Sequence, residues 1–326
     1  MRVRDARAVA ARWAAEAAHE GAFLSGSLTW LPGDAEVPAA SDVDVMVVAP
    51  GARPKLGKFR REGALLEVTY LTWADLPSPE AVLGHYHLAG AFKTDHVLTD
   101  PSGRLRALQA AVGPRWAQAE WVRRRCEHAE RRVVEALSGT ATARTYPARV
   151  MALLFGTGIT THVLLTAGLR NPTVRLRYPA ARQLLMQNGF SAFYEELLDL
   201  LGSTRLGPGR VERHLAALTS VFDEAAHVEA APYPFASDIS PQARHIAVHG
   251  SRELIARGLH REAMFWIAVT YARCLRILGR AESPGFREIL ADLGADDPVA
   301  RAADVTAVLP RLRQVAERII ERRGGA

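Results

Sequence analysis

Cysteine is nearly absent: Cys126 and Cys274 are the only two in 326 residues, far apart in the chain. That leaves no disulfide framework and no thiolate zinc site, so a reducing compartment and a cytoplasmic location are expected. Lysine is almost as scarce, present only at Lys55, Lys58 and Lys93, while every other basic residue is arginine. With the alanine-rich sequence, this pattern fits a bias of genome composition. The opening residues, Met1-Arg2-Val3-Arg4-Asp5-Ala6, carry no apolar core and no cleavage signature, so no signal peptide is expected. Neither sign of charge dominates. Lys plus Arg number 41 against 35 Asp plus Glu, a formal +6, which is too small a surplus at this length to point to nucleic acid. No internal repeat is evident.

One long uncharged stretch stands out. Residues 150–169, between Arg149 and Arg170, are long enough to span a bilayer. Three Gly, four Thr and His162 interrupt it, so a buried helix within a helical domain is expected and no membrane partner.

What the chain does contain is a pair of acids in an unusual setting. Ser41-Asp42-Val43-Asp44-Val45-Met46-Val47-Val48 reads as a buried strand, fifteen residues after Gly26-Ser27. Alternation along a strand sends Asp42 and Asp44 to the same face. Two like charges that close repel, and a cation is the usual remedy. Hard carboxylate oxygens on a rigid edge suit Mg²⁺, which keeps other positions for water and substrate phosphates. Upstream, Phe23-Leu24-Ser25-Gly26-Ser27-Leu28 reads as a short strand running into a turn. Gly26 lets the backbone approach a ligand closely, and Ser27 adds a hydroxyl to amides that can cradle phosphate. A third acid, Glu67, lies among apolar and β-branched residues in Leu65-Leu66-Glu67-Val68-Thr69-Tyr70-Leu71. Were the strands neighbours, Glu67 would complete a three-carboxylate cluster.

Taken together, Gly26-Ser27, Asp42-x-Asp44 and Leu66-Glu67-Val68-Thr69 resemble the polymerase-β-like nucleotidyltransferase superfamily, and within it the aminoglycoside adenylyltransferases. The resemblance covers roughly the first third of the chain. It implies that Asp42 and Asp44 bind the metals that bridge a nucleoside triphosphate, and that Glu67 completes the metal site or acts as general base. It also implies an α+β fold: an N-terminal nucleotidyltransferase domain with a mixed β-sheet flanked by helices, then an all-helical domain, with the acceptor bound between them. The chain departs from the family in a lengthened loop around Gly33-Asp34-Ala35-Glu36-Val37-Pro38. It departs again at Leu28-Thr29-Trp30, where small and arginine residues often follow the Gly-Ser. The function so implied is Mg²⁺-dependent transfer of a nucleoside monophosphate, AMP from ATP, to a hydroxyl of a small-molecule acceptor such as an aminoglycoside-like antibiotic. The alternatives are an enzyme that adenylylates a protein or a tRNA, and a non-enzymatic nucleotide-binding module.

Domain boundaries follow the punctuation Gly113-Pro114: residues 1–113 catalytic, 114–326 helical. In the first, an amphipathic helix over 3–20 with Val9, Trp13 and Ala17 on one face precedes strands around 22–26, 42–49 and 64–72. A helix at 80–88, a short strand from Val97 and a helix at 105–112 complete it. In the second, Val122, Cys126, Ala129, Val133 and Leu137 form a helical stripe. Arg123-Arg124-Arg125 and Arg131-Arg132, interleaved with glutamates, read as its solvated face. Residues 138–147 read as a loop. Helices are expected near 148–169, 179–188, 190–201, 210–228, 241–257, 260–279, 284–293 and 304–323, and Gly324-Gly325-Ala326 as a frayed end.

Other groupings weigh less. Lys55, Lys58, Arg60 and Arg61 read as a solvated hairpin loop, with Lys58 a candidate phosphate contact. His85-x-His87 does not share a helical face. Arg244 and His249 have an Arg-x4-His spacing reminiscent of a ribonuclease motif in helical domains that accompany small nucleotidyltransferases, though chance accounts for a two-residue match. Glu195, Glu196 and Asp199 fit an ordinary amphipathic face, and Tyr233-Pro234-Phe235 an irregular segment that could line a cleft.

Overall fold

Five strands build one mixed sheet in the first part of the chain. They are β1 (Gly21–Leu24), β2 (Val43–Val48), β3 (Gly57–Arg61), β4 (Ala64–Leu71) and β5 (Val97–Thr99), in the order β3-β4-β2-β1-β5. β2 and β4 run parallel; the other neighbours are antiparallel. This computed structural model describes residues 1–17, 19–228 and 235–324. The chain divides into two units, Met1–Arg125 and Cys126–Ala326, and the architecture is α+β.

Each face of the sheet is covered by the residues that alternation sends to it. Helix α1 (Val3–Glu16) presents Val3, Ala6, Val9, Ala10 and Ala14 to Val43, Val45, Val47, Leu66 and Val68. On the opposite face Phe23 and Val48 meet α2 (Pro79–Gly84) and α3 (Arg104–Val112) through Val82, Leu83, Leu105 and Leu108. A fully buried Val, Leu or Phe contributes about 1.5–3 kcal/mol over an exposed one, so these two layers fix the sheet in place.

The strand missed by sequence is β3. Gly-Lys-Phe-Arg-Arg has one apolar residue and no β-branched one, so residues 57–61 read as a solvated loop. They are instead an edge strand held by its antiparallel partner β4. The hairpin closes at Glu62-Gly63, both at positive φ (46° and 82°), the turn whose twist matches flanking strands. A basic edge also discourages pairing with another chain.

Helix α4 (Ala119–Thr142) crosses the division between the units. Its expected stripe, Val122 to Leu137, is buried. Two readings of this region are corrected. The helix continues past Ser138, because Thr140 and Thr142 return their hydroxyls to the carbonyls of Leu137 and Ser138 instead of breaking the turn. Arg124 does pair with Glu120 across one turn at 2.8 Å. Arg125, however, is 2% exposed and donates to the carbonyls of Leu83 (3.1 Å) and Trp116 (2.7 Å).

The second unit is helical among the described residues: α5 (Tyr146–Ala167), α6 (Arg177–Gln187), α7 (Ser191–Leu201), α8 (Pro208–Ala225), α9 (Gly250–Ala256), α10 (His260–Ile277), α11 (Pro284–Leu293) and α12 (Pro298–Gly324). α12 starts six residues earlier than expected because Asp297 accepts from the amides of Val299 and Ala300. α5 is the long apolar segment, and 89% of its most apolar window is buried inside the fold. It packs on α6, α7, α10 and α12. Its glycines allow close approach: a Cβ on Gly156 would lie 2.4 Å from Leu137, and one on Gly158 would lie 2.4 Å from Arg177. Tyr233, Pro234, Gly325 and Ala326 lie outside the described residues.

Gly202 ends α7 at φ +84°, where a Cβ would sit 2.0 Å from the Leu293 carbonyl oxygen. Backbone cannot swing aside as a side chain can. Gly202→Ala is expected to destabilise the protein by about 2–4 kcal/mol through left-handed strain plus overpacking, read from the urea midpoint. An unchanged midpoint would contradict this packing.

Candidate metal centre

The register of the sheet assembles the acidic site. Parallel pairing sets Asp44 of β2 beside Glu67 of β4, and antiparallel pairing sets Lys58 of β3 beside Glu67. Lys58, Glu67 and Asp44 therefore form one lateral row on a single face, spaced by the inter-strand distance of about 4.8 Å. Asp42 immediately precedes β2, two residues from Asp44, and alternation carries it to the same face. One carboxylate oxygen from each of Asp42, Asp44 and Glu67 lies within 4.8 Å of the others. No other such group of potential ligands occurs among the described residues.

Two ammonium groups lie among these acids. Lys58 Nζ is 3.0 Å from Asp42 Oδ2 and also contacts Glu67 Oε1, and Lys55 Nζ reaches the same Glu67 oxygen at 2.8 Å. The side chain of Lys58 is 5% exposed, so the solvated loop expected for it is not what forms. Arg60 and Arg61 stay out of the cluster: Arg60 is exposed, and Arg61 pairs with Glu16 of α1 at 2.7 Å. Asp44 has no lysine within ion-pair distance among the described residues. Its pKa is held well above the ordinary carboxylate value, first by burial, then by the charges of Asp42 and Glu67, with Lys58 and Lys55 pulling the other way. A divalent cation would relieve that repulsion, and three hard oxygen donors on two strands fit Mg²⁺.

Gly26 is shaped by Asp44. It follows β1 at φ +63°, and a Cβ there would lie 1.7 Å from Asp44 Oδ2, so any other residue would displace the carboxylate. The Ser25 amide donates to the Asp44 carbonyl at 2.9 Å, tying the turn to β2. Ser27 then opens a single 3₁₀ turn, Ser27–Trp30, in which Thr29 Oγ1 donates to the Gly26 carbonyl at 2.8 Å. Ser27 Oγ lies 2.9 Å from Ser41 Oγ, the residue before Asp42. Thus Gly26, Asp42, Asp44, Lys58 and Glu67 meet at one place and Ser27 joins through Ser41. Sequence placed Ser41 in the acidic motif and Lys55 in the basic cluster with Lys58, but gave neither a role; the structure sets Ser41 against Ser27 and Lys55 against Glu67.

The remaining candidates fall elsewhere. His85 and His87 flank Tyr86, whose ring is 4.0 Å from that of His87. Glu195 pairs with Arg261 and Glu196 with Arg311, and Asp199 accepts from Thr204, as an ordinary helix face does. Phe235, 39% exposed, stacks near Phe155 at 6.2 Å. Arg244 immediately precedes and His249 ends a π-helical turn, His245–His249, whose wider winding brings the five-residue spacing onto one side. Arg244 Nη1 comes within 3.4 Å of His249 Nε2 and its guanidinium forks onto Asp223 at 2.6 and 2.9 Å.

No family model matches this chain, and no curated protein does.

Because the folded pKa of Asp44 is raised, its ionised form costs stability at neutral pH. That cost disappears as the pH falls below its ordinary value of about 4. In EDTA at pH 7, Asp44→Asn should therefore melt above the wild type, with the gap closing in acid. Millimolar Mg²⁺ should raise the wild-type Tm and leave the Asn variant nearly unmoved. A wild-type Tm indifferent to Mg²⁺ would remove the metal from this site.

Proposed function

We propose that the chain is a Mg²⁺-dependent nucleotidyltransferase that transfers AMP from ATP to a hydroxyl of a small molecule. The observation that carries this reading is the convergence of Asp42, Asp44 and Glu67 beside Gly26, where any side chain would displace the Asp44 carboxylate. The resemblance of the three segments to polymerase-β-like nucleotidyltransferases, the aminoglycoside adenylyltransferases in particular, supports it. Asp42, Asp44 and Glu67 would hold Mg²⁺, which when bound supplies positive charge to the triphosphate and the leaving pyrophosphate.

The protein's own groups then do the positioning. The open backbone at Gly26 and the amide and hydroxyl of Ser27 would seat the β and γ phosphates. The acceptor oxygen attacks the α phosphorus, the bond to the bridging oxygen breaks, and pyrophosphate leaves with that electron pair. The acceptor proton goes to Glu67, which lies in the same row. Lys58, already paired with acids of the site, would give its charge to phosphate oxygens as they arrive. An aminoglycoside-like antibiotic is the acceptor class favoured by the resemblance. A protein or a tRNA end shares the same catalytic core and differs only in what becomes labelled.

The test is transfer of label from α-labelled ATP in a cell extract and to a panel of aminoglycosides, with pyrophosphate release measured in parallel. Asp42→Ala and Asp44→Ala should each lower turnover by about 10³-fold or more, since charge stabilisation fails as a whole. A labelled small molecule supports the reading, and a labelled protein or RNA band moves the acceptor to the alternative. Wild-type turnover in Asp42→Ala would end it.

A second reading draws on the approach of Arg244 to His249. A histidine beside a guanidinium can serve as a base, which fits RNA cleavage. Cleavage lost in His249→Ala and kept in Asp44→Ala would establish it; no cleavage by the wild type would dispose of it.

A further inference from the structure

Lys93 is the one lysine outside the acidic row, and its surroundings are unlike those of the other two. It follows the short turn Ala89–Phe92, and its ammonium lies 3.1 Å from the centroid of the Trp30 ring and 5.6 Å from that of Trp116. The two rings meet edge to face at 5.8 Å. All three side chains are half-buried, so each keeps a surface that a ligand can reach. Among the described residues Lys93 makes no hydrogen bond and no ion pair; its contacts are the aromatic faces alone. A desolvated ammonium in that position normally finds a carboxylate.

The charges around it are positive. From α1, Arg7 acts on Lys93 and holds its guanidinium against the carbonyls of Leu28 and Leu31. From the segment before β5, His96 bonds to the Thr29 carbonyl and is kept neutral near pH 7 by burial. From α4, Arg125 lies 5.5 Å from the Trp116 ring. No carboxylate acts on Lys93. A cationic ligand is repelled by such a field and an anion is drawn in. One face of Trp30 is taken by the ammonium and its ring meets that of Trp116 edge to face, so what remains of the two indole surfaces is aromatic and suits a planar group.

We infer that Trp30, Trp116 and Lys93 form a ligand subsite for a planar group carrying a negative charge, either an aromatic carboxylate or the base and phosphate of a nucleotide. Lys93 supplies the charge and the rings supply the stacking surface. None of its residues belongs to the acidic row, although Trp30 ends the turn that Ser27 opens. Burial pushes the Lys93 pKa down to about 8, with Arg7 adding to the effect. Its charge is therefore present at pH 7 and largely lost at pH 9, while Arg7 and Arg125 remain charged and His96 remains neutral throughout.

The experiment is titration of the full-length protein in EDTA, followed by tryptophan fluorescence and calorimetry. The probes are AMP and salicylate, with adenosine (ring only) and inorganic phosphate (charge only) as controls. AMP or salicylate should bind saturably, at least tenfold tighter than either control, and about tenfold weaker at pH 9 than at pH 7, as a group titrating near 8 requires. Lys93→Gln should lose tenfold or more and flatten the pH profile. Trp116→Phe, which keeps a ring in place, should weaken binding less and keep the pH dependence. Binding of AMP alone assigns the site to a nucleotide, and of salicylate alone to an aromatic acid. Asp44→Asn should bind salicylate as the wild type does, so failure of catalysis and failure of this subsite are read separately. No saturable binding of either probe, or binding by Lys93→Gln equal to the wild type, overturns the inference.

Discussion

Three acidic side chains held within 4.8 Å of one another set the terms for everything around them in the first unit. Such a group is unstable without positive charge, and the fold answers with one lysine from an edge strand and one from the segment just before it. Lys58 bridges Asp42 and Glu67, and Lys55 adds a second contact to Glu67. Asp44 is left to the field of its neighbours, which is why its carboxyl is pushed upward. The acids are thus two-thirds neutralised by protein, and the unneutralised member lies against Gly26. Sheet register achieves this with little chain: one parallel pairing and one hairpin bring Asp44, Glu67 and Lys58 abreast. Slipping either pairing by one residue would send Glu67 or Lys58 to the α1 side of the sheet.

The acids were legible because they are out of place. Asp44 and Glu67 interrupt runs of Val and Leu whose other members are core, and an acid kept at such a position needs a partner. Gly26 was legible for the same kind of reason, although the agent that demands it, the Asp44 carboxylate, came only from the structure. β3 was not legible, since its order comes from pairing with β4 and no pattern of its own announces a strand. That one omission left Lys58 in a presumed solvated loop, as a candidate phosphate contact, with no sign of its pairing with Asp42 and Glu67. Arg125 was misread for a related reason: a run of three arginines looks uniform in sequence, while helical periodicity turns only one of them toward the Leu83 and Trp116 carbonyls.

In the helical unit, period and burial agreed almost everywhere and the ends did not. Apolar spacing marks where a helix packs, whereas its termini depend on single hydrogen bonds. The hydroxyls of Thr140 and Thr142 prolong α4, and the Asp297 carboxylate starts α12 early. The apolar α5 shows the limit of composition as a guide. Length and hydropathy alone fit a membrane span, but Gly156 and Gly158 admit Leu137, Arg177 and Phe265 at distances that require neighbouring protein. Those contacts make α5 the axis of a packed bundle.

The scarcity of lysine acquires a different weight once the side chains are placed. Three lysines survive among 41 basic residues, two in ion pairs with the acidic row and one against paired tryptophans. Genome composition explains why arginine is common; it does not explain where lysine persists. A guanidinium would fork onto two carboxylate oxygens and present a rigid plane, while an ammonium is a compact point charge with donors that rotate. Between Asp42 and Glu67, whose oxygens come from different strands, the point charge fits where a fork does not. Over the Trp30 ring the ammonium sits at 3.1 Å, closer than Arg125 comes to Trp116. At these positions the choice of cation follows the local geometry.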